Sequence, residues 1–187
     1  MRLWLIRHGL TRLGEEKRYQ GATDEGLSEK GRAELKRAGF SPARVCVSPM
    51  LRARETTEIL FPGAKQILVP DLREMDFGAF EGRGWWEMEH DPAYRAWVDG
   101  GCAGRCPGGE DRAEYSARVC AAVHALLRTE RDELVIVAHG GTQMAVLERW
   151  GDPPREYWRG QRPCGCGWLL DWDGEKLRVL EEVDFRK

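Results

Sequence analysis

The sequence of 187 residues lacks the features that would mark a membrane protein, a nucleic-acid binder or a disordered chain. No apolar run approaches the length of a transmembrane helix. Neither sign of charge is in excess, since the formal net charge is −2, whereas a non-specific nucleic-acid binder is basic. Repeats, low-complexity tracts and linkers are also missing. We therefore expect one globular domain over residues 1–187, with neither nucleic acid nor a membrane as its partner.

The six cysteines do not show the Cys-x-x-Cys spacing that is usual in zinc sites. Cys102 and Cys106 are four positions apart, and Cys164 and Cys166 are two apart. A zinc site built from both pairs stays an alternative, but free or buried thiols are the expectation in a reducing compartment. The apolar run before Arg7 is too short for a signal peptide, so we expect a cytoplasmic location.

Apolar runs alternate with segments of helical spacing along the chain. This order predicts an α/β fold, a three-layer sandwich with a mainly parallel central sheet and helices on both faces. The predicted strands cover residues 2–6, 45–47, 66–69, 134–138, 166–172 and 177–183. The predicted helices cover residues 28–38, 48–60, 111–129 and 142–150. Residues 76–110, which are rich in glycine and aromatic side chains, are predicted to form an irregular insertion, and Asp173-Gly174 predicts a hairpin between the last two strands.

Two histidines directly follow predicted strands. Arg7-His8-Gly9 ends the first apolar run, and His139-Gly140-Gly141 follows the run at 134–138. Ligands bind at the carboxyl ends of strands in open α/β sheets, so both histidines can share one crevice if their strands are neighbours. The planar guanidinium of arginine binds phosphate through paired hydrogen bonds, and a neutral histidine can attack phosphorus. The two motifs therefore indicate phosphoryl transfer.

With three further segments, the chain resembles the histidine phosphatase superfamily, in its phosphoglycerate-mutase-like branch, over almost its whole length. The further segments are Tyr19-Gln20-Gly21 with Thr23-Asp24 and Leu27-Ser28, Ser48-Pro49-Met50-Leu51-Arg52-Ala53-Arg54-Glu55-Thr56, and Leu72-Arg73-Glu74 with Phe77-Gly78 and Glu81-Gly82. All the segments occur in the order that the family shows. The resemblance implies the phosphoglycerate-mutase-like form of the predicted fold.

The resemblance also assigns roles to five residues. His8 takes the position of the phosphorylated histidine and Glu74 that of the proton donor. Arg7, Arg52 and His139 take the positions of phosphate ligands, Arg52 through the pattern Arg-Ala-x-x-Thr. No cofactor and no metal ion are implied.

Structural roles are the alternative for some of these residues. Glu74 could be a surface carboxylate beside Arg73. Arg52 lies near a predicted helix start, where a cation opposes the helix dipole, so a purely structural role suits it less well. His90 and His124 are expected to be structural or surface residues.

The tryptophans of the insertion have two interpretations. Trp85, Trp86 and Trp97 could line a pocket that stacks on a planar substrate group. Packing of the insertion is the simpler expectation.

Within the family, residues 72–110 look most like alpha-ribazole phosphatases. The resemblance implies a small-molecule phosphomonoester as substrate, namely alpha-ribazole 5′-phosphate in the assembly of the cobalamin lower ligand. A broad-specificity phosphatase, a phosphoglycerate mutase and a non-catalytic phospho-ligand-binding pseudoenzyme are the alternatives. Gly14 stands where many relatives have asparagine, and Leu10 where glutamate is common. The sequence does not indicate the oligomeric state.

Overall fold

The computed structural model describes residues 1–130 and 132–187, and within them seven strands form one mixed sheet. The strands are β1 (Arg2–Arg7), β2 (Arg44–Val47), β3 (Lys65–Leu68), β4 (Glu133–Ala138), β5 (Gly151–Asp152), β6 (Cys166–Trp172) and β7 (Leu177–Asp184). Their order across the sheet is β3-β2-β4-β1-β6-β7-β5. The pairs among β3, β2, β4 and β1 are parallel, as is β5 with β7, whereas β6 is antiparallel to both β1 and β7.

The helices of the described ranges are α1 (Arg12–Glu15), α2 (Glu29–Glu34), α3 (Leu51–Leu60), α4 (Pro92–Asp99), α5 (Arg112–Thr129) and α6 (Gly140–Trp150). Four of them begin at a side chain that accepts a hydrogen bond from a free N–H of the first turn. These capping residues are Thr11, Ser28, Asp91 and Asp111. Each cap satisfies a donor that the helix leaves without an intrahelical partner.

The central strands bury apolar side chains on both faces, because successive residues of a strand point to opposite sides of the sheet. In β4, Leu134 and Ile136 join a core that α5 and α6 also pack into. Val135 and Val137 join a second core, which receives side chains of α3. Helices therefore cover both faces of the sheet. The predicted α/β three-layer sandwich with a mainly parallel sheet is confirmed.

Two predicted helices are shorter in the structure than in the prediction. The helix predicted to extend to residue 38 ends at Glu34, because Leu35 is extended and forms a β-bridge with Arg186. The helix predicted from residue 48 begins at Leu51. Ser48 is not a helix cap, and its hydroxyl contacts another side chain, described below. In both places a long-range contact overrides the local helical signal.

The insertion at 76–110 contains more regular structure than was predicted. α4 lies within it, with Asp91 as the N-cap and Pro92 at the first helical position. These residues are a typical helix start, which the glycine-rich surroundings obscured in the sequence. Of the helices in the described ranges, none combines the length and apolar character needed to cross a bilayer.

The cysteines do not form the zinc site considered from the sequence. All six are free thiols. No group of three or more histidine, cysteine, aspartate or glutamate side chains in residues 1–130 and 132–187 is arranged to hold a metal ion.

Gly167 allows β6 to approach β1 closely, and its replacement tests this packing. An added Cβ would collide with the main-chain oxygen of Leu5. We expect Gly167→Ala to lower the free energy of unfolding by about 1–3 kcal/mol in urea denaturation, the range for overpacked cores. Gly39→Ala is the matched control, since an added Cβ meets no atom within 4 Å there. Equal losses for both variants would contradict this account.

Candidate active site

The carboxyl ends of three neighbouring strands bring His8, His139 and Ser48 to one edge of the sheet. Arg7 of β1 is paired with Ala138 of β4, so the next residues, His8 and His139, leave the sheet side by side. Their ring centroids are 5.2 Å apart. β2 flanks β4 on the other side, and the Ser48 N–H donates to the Val137 carbonyl at 3.0 Å. Strand register alone therefore assembles this part of the site.

The His8 imidazole is buried, and its environment fixes its protonation. Its Nδ1 lies 2.7 Å from the Gly9 carbonyl oxygen. Since a carbonyl oxygen only accepts, Nδ1 carries the proton and Nε2 keeps its lone pair. Burial lowers the pKa of His8 well below its ordinary value, and the positive charges of Arg52 and Arg7 lower it further. A neutral imidazole with a free Nε2 can act as a nucleophile.

His139 is fully buried and is also held neutral. Its Nε2 lies 2.7 Å from the Ser48 hydroxyl, whereas its Nδ1 has no hydrogen-bond partner among the described residues. Burial lowers the pKa of His139, and the nearby Arg52 acts in the same direction. The ring therefore offers a polar atom to a ligand without adding a charge.

Arg52 lies in the first turn of α3 and is fully buried. Its Nη1 donates to the Thr23 carbonyl and its Nη2 to the Gly21 carbonyl, both at 2.9 Å. Nε has no partner in the described part of the chain. Burial lowers the pKa of Arg52. Because its hydrogen bonds go to neutral carbonyls, the guanidinium has no direct ion pair among the described residues and its positive charge can act on an anion.

Arg7 is also held by a main-chain carbonyl. Its Nη1 donates to the Arg162 carbonyl at 2.9 Å. The Arg162 N–H donates to the side-chain oxygen of Gln143 at 2.9 Å, and the Gln143 amide donates to the Leu5 carbonyl at 3.0 Å. The fully buried Gln143 therefore links strand β1 to Arg162, whose carbonyl accepts from Arg7.

Glu74 reaches the site from the segment that follows a 3₁₀ turn at Pro70–Leu72. One carboxylate oxygen accepts the Met75 N–H at 2.9 Å, and the other accepts the Gly141 N–H at 3.1 Å. Gly141 lies in the first turn of α6, where a carboxylate is favoured by the helix dipole. A Cβ at Gly141 would collide with Glu74 and would lie 2.6 Å from the Tyr115 hydroxyl. The absence of a side chain at Gly141 therefore allows the Glu74 carboxylate to lie at the edge of the sheet where the two histidines are.

A cavity of about 340 Å³ opens onto this edge. Arg7, His8 and Glu74 line it, whereas Arg52 and His139 are fully buried and do not. Its walls are rich in aromatic side chains, which come from the segment after α1, from the insertion and from a later segment: Tyr19, Phe77, Trp97, Tyr157 and Trp158. The cavity therefore has a charged end and a large apolar wall.

The tryptophans of the insertion divide between the two interpretations. Trp97 lines the cavity and also packs against Phe80, with ring centroids 5.5 Å apart. Trp85 and Trp86 are exposed and lie outside the cavity lining. Trp158, which the sequence did not single out, supplies an exposed ring at the cavity.

Gly14 lies at the cavity, whereas His90 and His124 do not. Gly14 lines the cavity and contributes no side chain there. Its N–H donates to the Thr11 hydroxyl at 3.1 Å as part of the α1 cap. His90 and His124 are exposed and lie outside the cavity lining.

Ser48 and Thr56 are site residues that the sequence did not identify. The Thr56 hydroxyl accepts the Gly9 N–H at 2.9 Å and so fixes the main chain beside His8. Both threonine and serine fall in segments that had been matched as motifs, and Ser48 stands at a strand exit as the two histidines do. That position was the signal that could have identified it.

Comparison with known proteins gives one consistent family. The model of the histidine phosphatase superfamily (branch 1) matches residues 3–184. An adenosylcobalamin/alpha-ribazole phosphatase of Salmonella typhimurium is 30% identical over 184 residues, covering 91% of this chain and 90% of the relative.

Two solved structures are similar over nearly the whole chain. A candidate alpha-ribazole-5′-P phosphatase from Escherichia coli has a TM-score of 0.86 at 25% identity, covering 98% of this chain and 96% of that one. A phosphoglycerate mutase from Thermus thermophilus has a TM-score of 0.74 at 34% identity, covering 98% of each.

The neutral histidines predict how stability depends on pH. The unfolded chain, in which histidine titrates near pH 6.5, binds more protons below that pH than the folded chain does. The stabilisation is therefore complete above about pH 6.5 and is lost as the pH falls towards the lowered folded-state pKa values. We expect each histidine to contribute at most about 1.4 kcal/mol per pH unit to this loss.

Urea unfolding at about pH 8 and about pH 5.5 measures the effect. In a His139→Gln variant, which removes one of the two groups, the free energy of unfolding should fall less over this range than in the parent. A parent-like pH dependence in the variant would contradict the assignment.

Proposed function

The chain belongs to the histidine phosphatase superfamily, branch 1, and on that premise we propose that it hydrolyses a small-molecule phosphomonoester through a phosphohistidine on His8. The family and its relatives make the chain a phosphatase. The observation that carries the proposed mechanism is the neutral, buried His8, which keeps its Nε2 lone pair beside two arginines whose guanidinium groups donate to main-chain carbonyls.

In the proposed first step, Nε2 of His8 attacks phosphorus and the bond to the ester oxygen breaks. Glu74 enters this step in its protonated form and gives its proton to the leaving oxygen. Arg7, Arg52 and His139 bind the phosphoryl oxygens, where negative charge accumulates in the transition state. The alcohol portion of the substrate leaves, and the phosphoryl group stays on His8.

In the proposed second step, water replaces His8 on phosphorus. Glu74, now ionised, takes the proton from the attacking water, and inorganic phosphate is released. This cycle returns both residues to their starting protonation states.

Substitutions of the two reacting residues test the mechanism. We expect His8→Ala to lower kcat by about 10⁴-fold or more, since it removes the nucleophile, and Glu74→Gln to lower it by about 10²- to 10⁴-fold. An acid-labile phosphoenzyme should accumulate in rapid-quench experiments with the parent and be missing in His8→Ala. Chelators should leave turnover unchanged.

His124→Ala, at an exposed position outside the cavity, is the control and should match the parent. Full activity of His8→Ala would overturn the mechanism. Binding of phosphomonoesters by a parent that never turns them over would instead favour a non-catalytic receptor.

We propose alpha-ribazole 5′-phosphate as the substrate. Its flat base suits the aromatic wall of the cavity, which includes Tyr157 and Trp158 with ring centroids 5.0 Å apart, since aromatic rings stack favourably on planar groups. The names of the similar Salmonella and Escherichia coli proteins agree with this choice. Such an activity would place the enzyme in the cytoplasm, in assembly of the cobalamin lower ligand.

A comparison of phosphomonoesters tests the substrate. We expect kcat/KM to be highest for alpha-ribazole 5′-phosphate, lower for 3-phosphoglycerate and lowest for glycerol phosphate. Trp158→Ala should lower kcat/KM for alpha-ribazole 5′-phosphate by about tenfold, within the range measured for stacking on a single ring. The kcat/KM for glycerol phosphate should stay unchanged. Trp85→Ala, an exposed tryptophan outside the cavity, is the matched control.

Three outcomes would redirect the assignment. A flat profile across the esters would favour a broad-specificity phosphatase. Isomerisation of 3-phosphoglycerate without release of phosphate would favour a mutase. An equal loss with Trp158→Ala for all esters would remove the aromatic wall from substrate recognition.

A further inference from the structure

The two carbonyls that hold Arg52 belong to a short loop, residues 21–23, whose N–H groups converge on one carboxylate. The Glu81 side chain accepts the Gly21 N–H at 3.0 Å, the Ala22 N–H at 2.8 Å and the Thr23 N–H at 3.2 Å. It also accepts the Thr23 hydroxyl at 2.7 Å. Successive N–H groups that converge in this way form an anion-binding nest.

The geometry of the peptide links this nest to Arg52. In a planar trans peptide, the C=O of one residue points away from the N–H of the next. The Ala22 N–H points to Glu81, so the Gly21 carbonyl of the same peptide points away from Glu81, and it accepts from Arg52 Nη2 at 2.9 Å. One peptide unit therefore lies directly between the carboxylate and the guanidinium.

The second anchor follows from the same contacts. Glu81 binds both the N–H and the hydroxyl of Thr23, which fixes the backbone of that residue. The Thr23 carbonyl then accepts from Arg52 Nη1 at 2.9 Å. Both anchors of the guanidinium thus depend on a carboxylate that does not touch it.

The loop is also closely packed at Gly21. A Cβ at Gly21 would collide with the Met75 carbonyl oxygen and lie 2.7 Å from a Glu81 oxygen. Glu81 further accepts the Phe77 N–H at 3.0 Å. It therefore ties the loop to the segment that follows Glu74 in the chain.

We propose that Glu81 is a positioning residue that orients Arg52 for the phosphoryl group through the Gly21–Thr23 loop. The inference rests on the proposed role of Arg52 as a phosphate ligand. Glu81 contacts no substrate. Its carboxylate fixes the main-chain carbonyls, and the carbonyls fix the guanidinium without neutralising it, as a carboxylate in direct contact would.

Glu81→Gln is the first test. The amide places an NH₂ group against N–H donors, so the nest loses an acceptor and the loop carbonyls lose their fixed direction. We expect kcat/KM to fall by about 10- to 100-fold for every phosphomonoester, as for a misplaced binding group. The inhibition constant for inorganic phosphate should rise by a similar factor, because the loss lies in phosphate binding.

A double-mutant cycle with Arg52→Gln separates positioning from a general structural role. If Glu81 acts through Arg52, then Glu81→Gln should change the phosphate inhibition constant by less than about threefold once Arg52 is replaced, since coupled residues are non-additive. Thr23→Val removes only the hydroxyl contact with Glu81. It should produce a smaller change in the same direction, and it serves if Glu81→Gln fails to fold.

Asp91→Ala is the matched control. Asp91 is also a carboxylate of the insertion that accepts main-chain N–H groups, those of Ala93 and Tyr94, and its side-chain partner is Arg83, which lies outside the Gly21–Thr23 loop. We expect it to lower Tm and leave the phosphate inhibition constant at the parent value.

The outcomes distinguish the inference from the function on which it rests. Additive effects of Glu81→Gln and Arg52→Gln, or an equal rise of the inhibition constant in Asp91→Ala, would overturn the positioning role alone. An Arg52→Gln variant with the parent's inhibition constant would overturn the role of Arg52 as a phosphate ligand, and the positioning role with it.

Discussion

The site depends on two arginine charges that are held by main-chain carbonyls instead of carboxylates. Removing a charge from water is costly unless oriented dipoles replace the solvent. The carbonyls of Gly21 and Thr23 supply those dipoles for Arg52, and the Arg162 carbonyl does so for Arg7. Since a dipole stabilises a charge without cancelling it, the positive field is preserved for an anionic ligand. Much of the surrounding structure serves to keep these carbonyls pointed at the guanidinium groups.

The same field determines what the histidines can do. Cations beside a buried imidazole oppose its protonation, and the Gly9 carbonyl decides which nitrogen of His8 carries the remaining proton. Strand register places the two rings next to each other. The nucleophilic character of the site is therefore a property of sheet topology and electrostatics combined. Neither the tripeptide at residues 7–9 nor the second histidine would have it alone.

Local signals in the sequence were sufficient for the long helices, the residues at the strand ends and six of the seven strands, but not for the two-residue β5. Apolar runs revealed β1 and β4, and the motifs identified the two histidines, the arginines and Glu74. The bond between Glu81 and the Gly21–Thr23 loop spans about sixty positions and leaves no periodic trace. The early end of α2 at Leu35 and the place of Trp158 at the cavity are likewise set by distant contacts. Such features arise only when the tertiary fold brings the segments together.

The Gly21–Ala22 peptide has an evolutionary consequence. Its contribution to the site is made by main-chain atoms, which every substitution of Ala22 except proline leaves in place. Ala22 is exposed, so its side chain can be replaced without altering the contacts of the peptide. The positions that cannot change freely are the first residue of the loop, Gly21, and a glutamate far along the chain, Glu81. Among diverging copies of this gene, the loop should therefore tolerate change at its centre, while its distant partner should change only rarely.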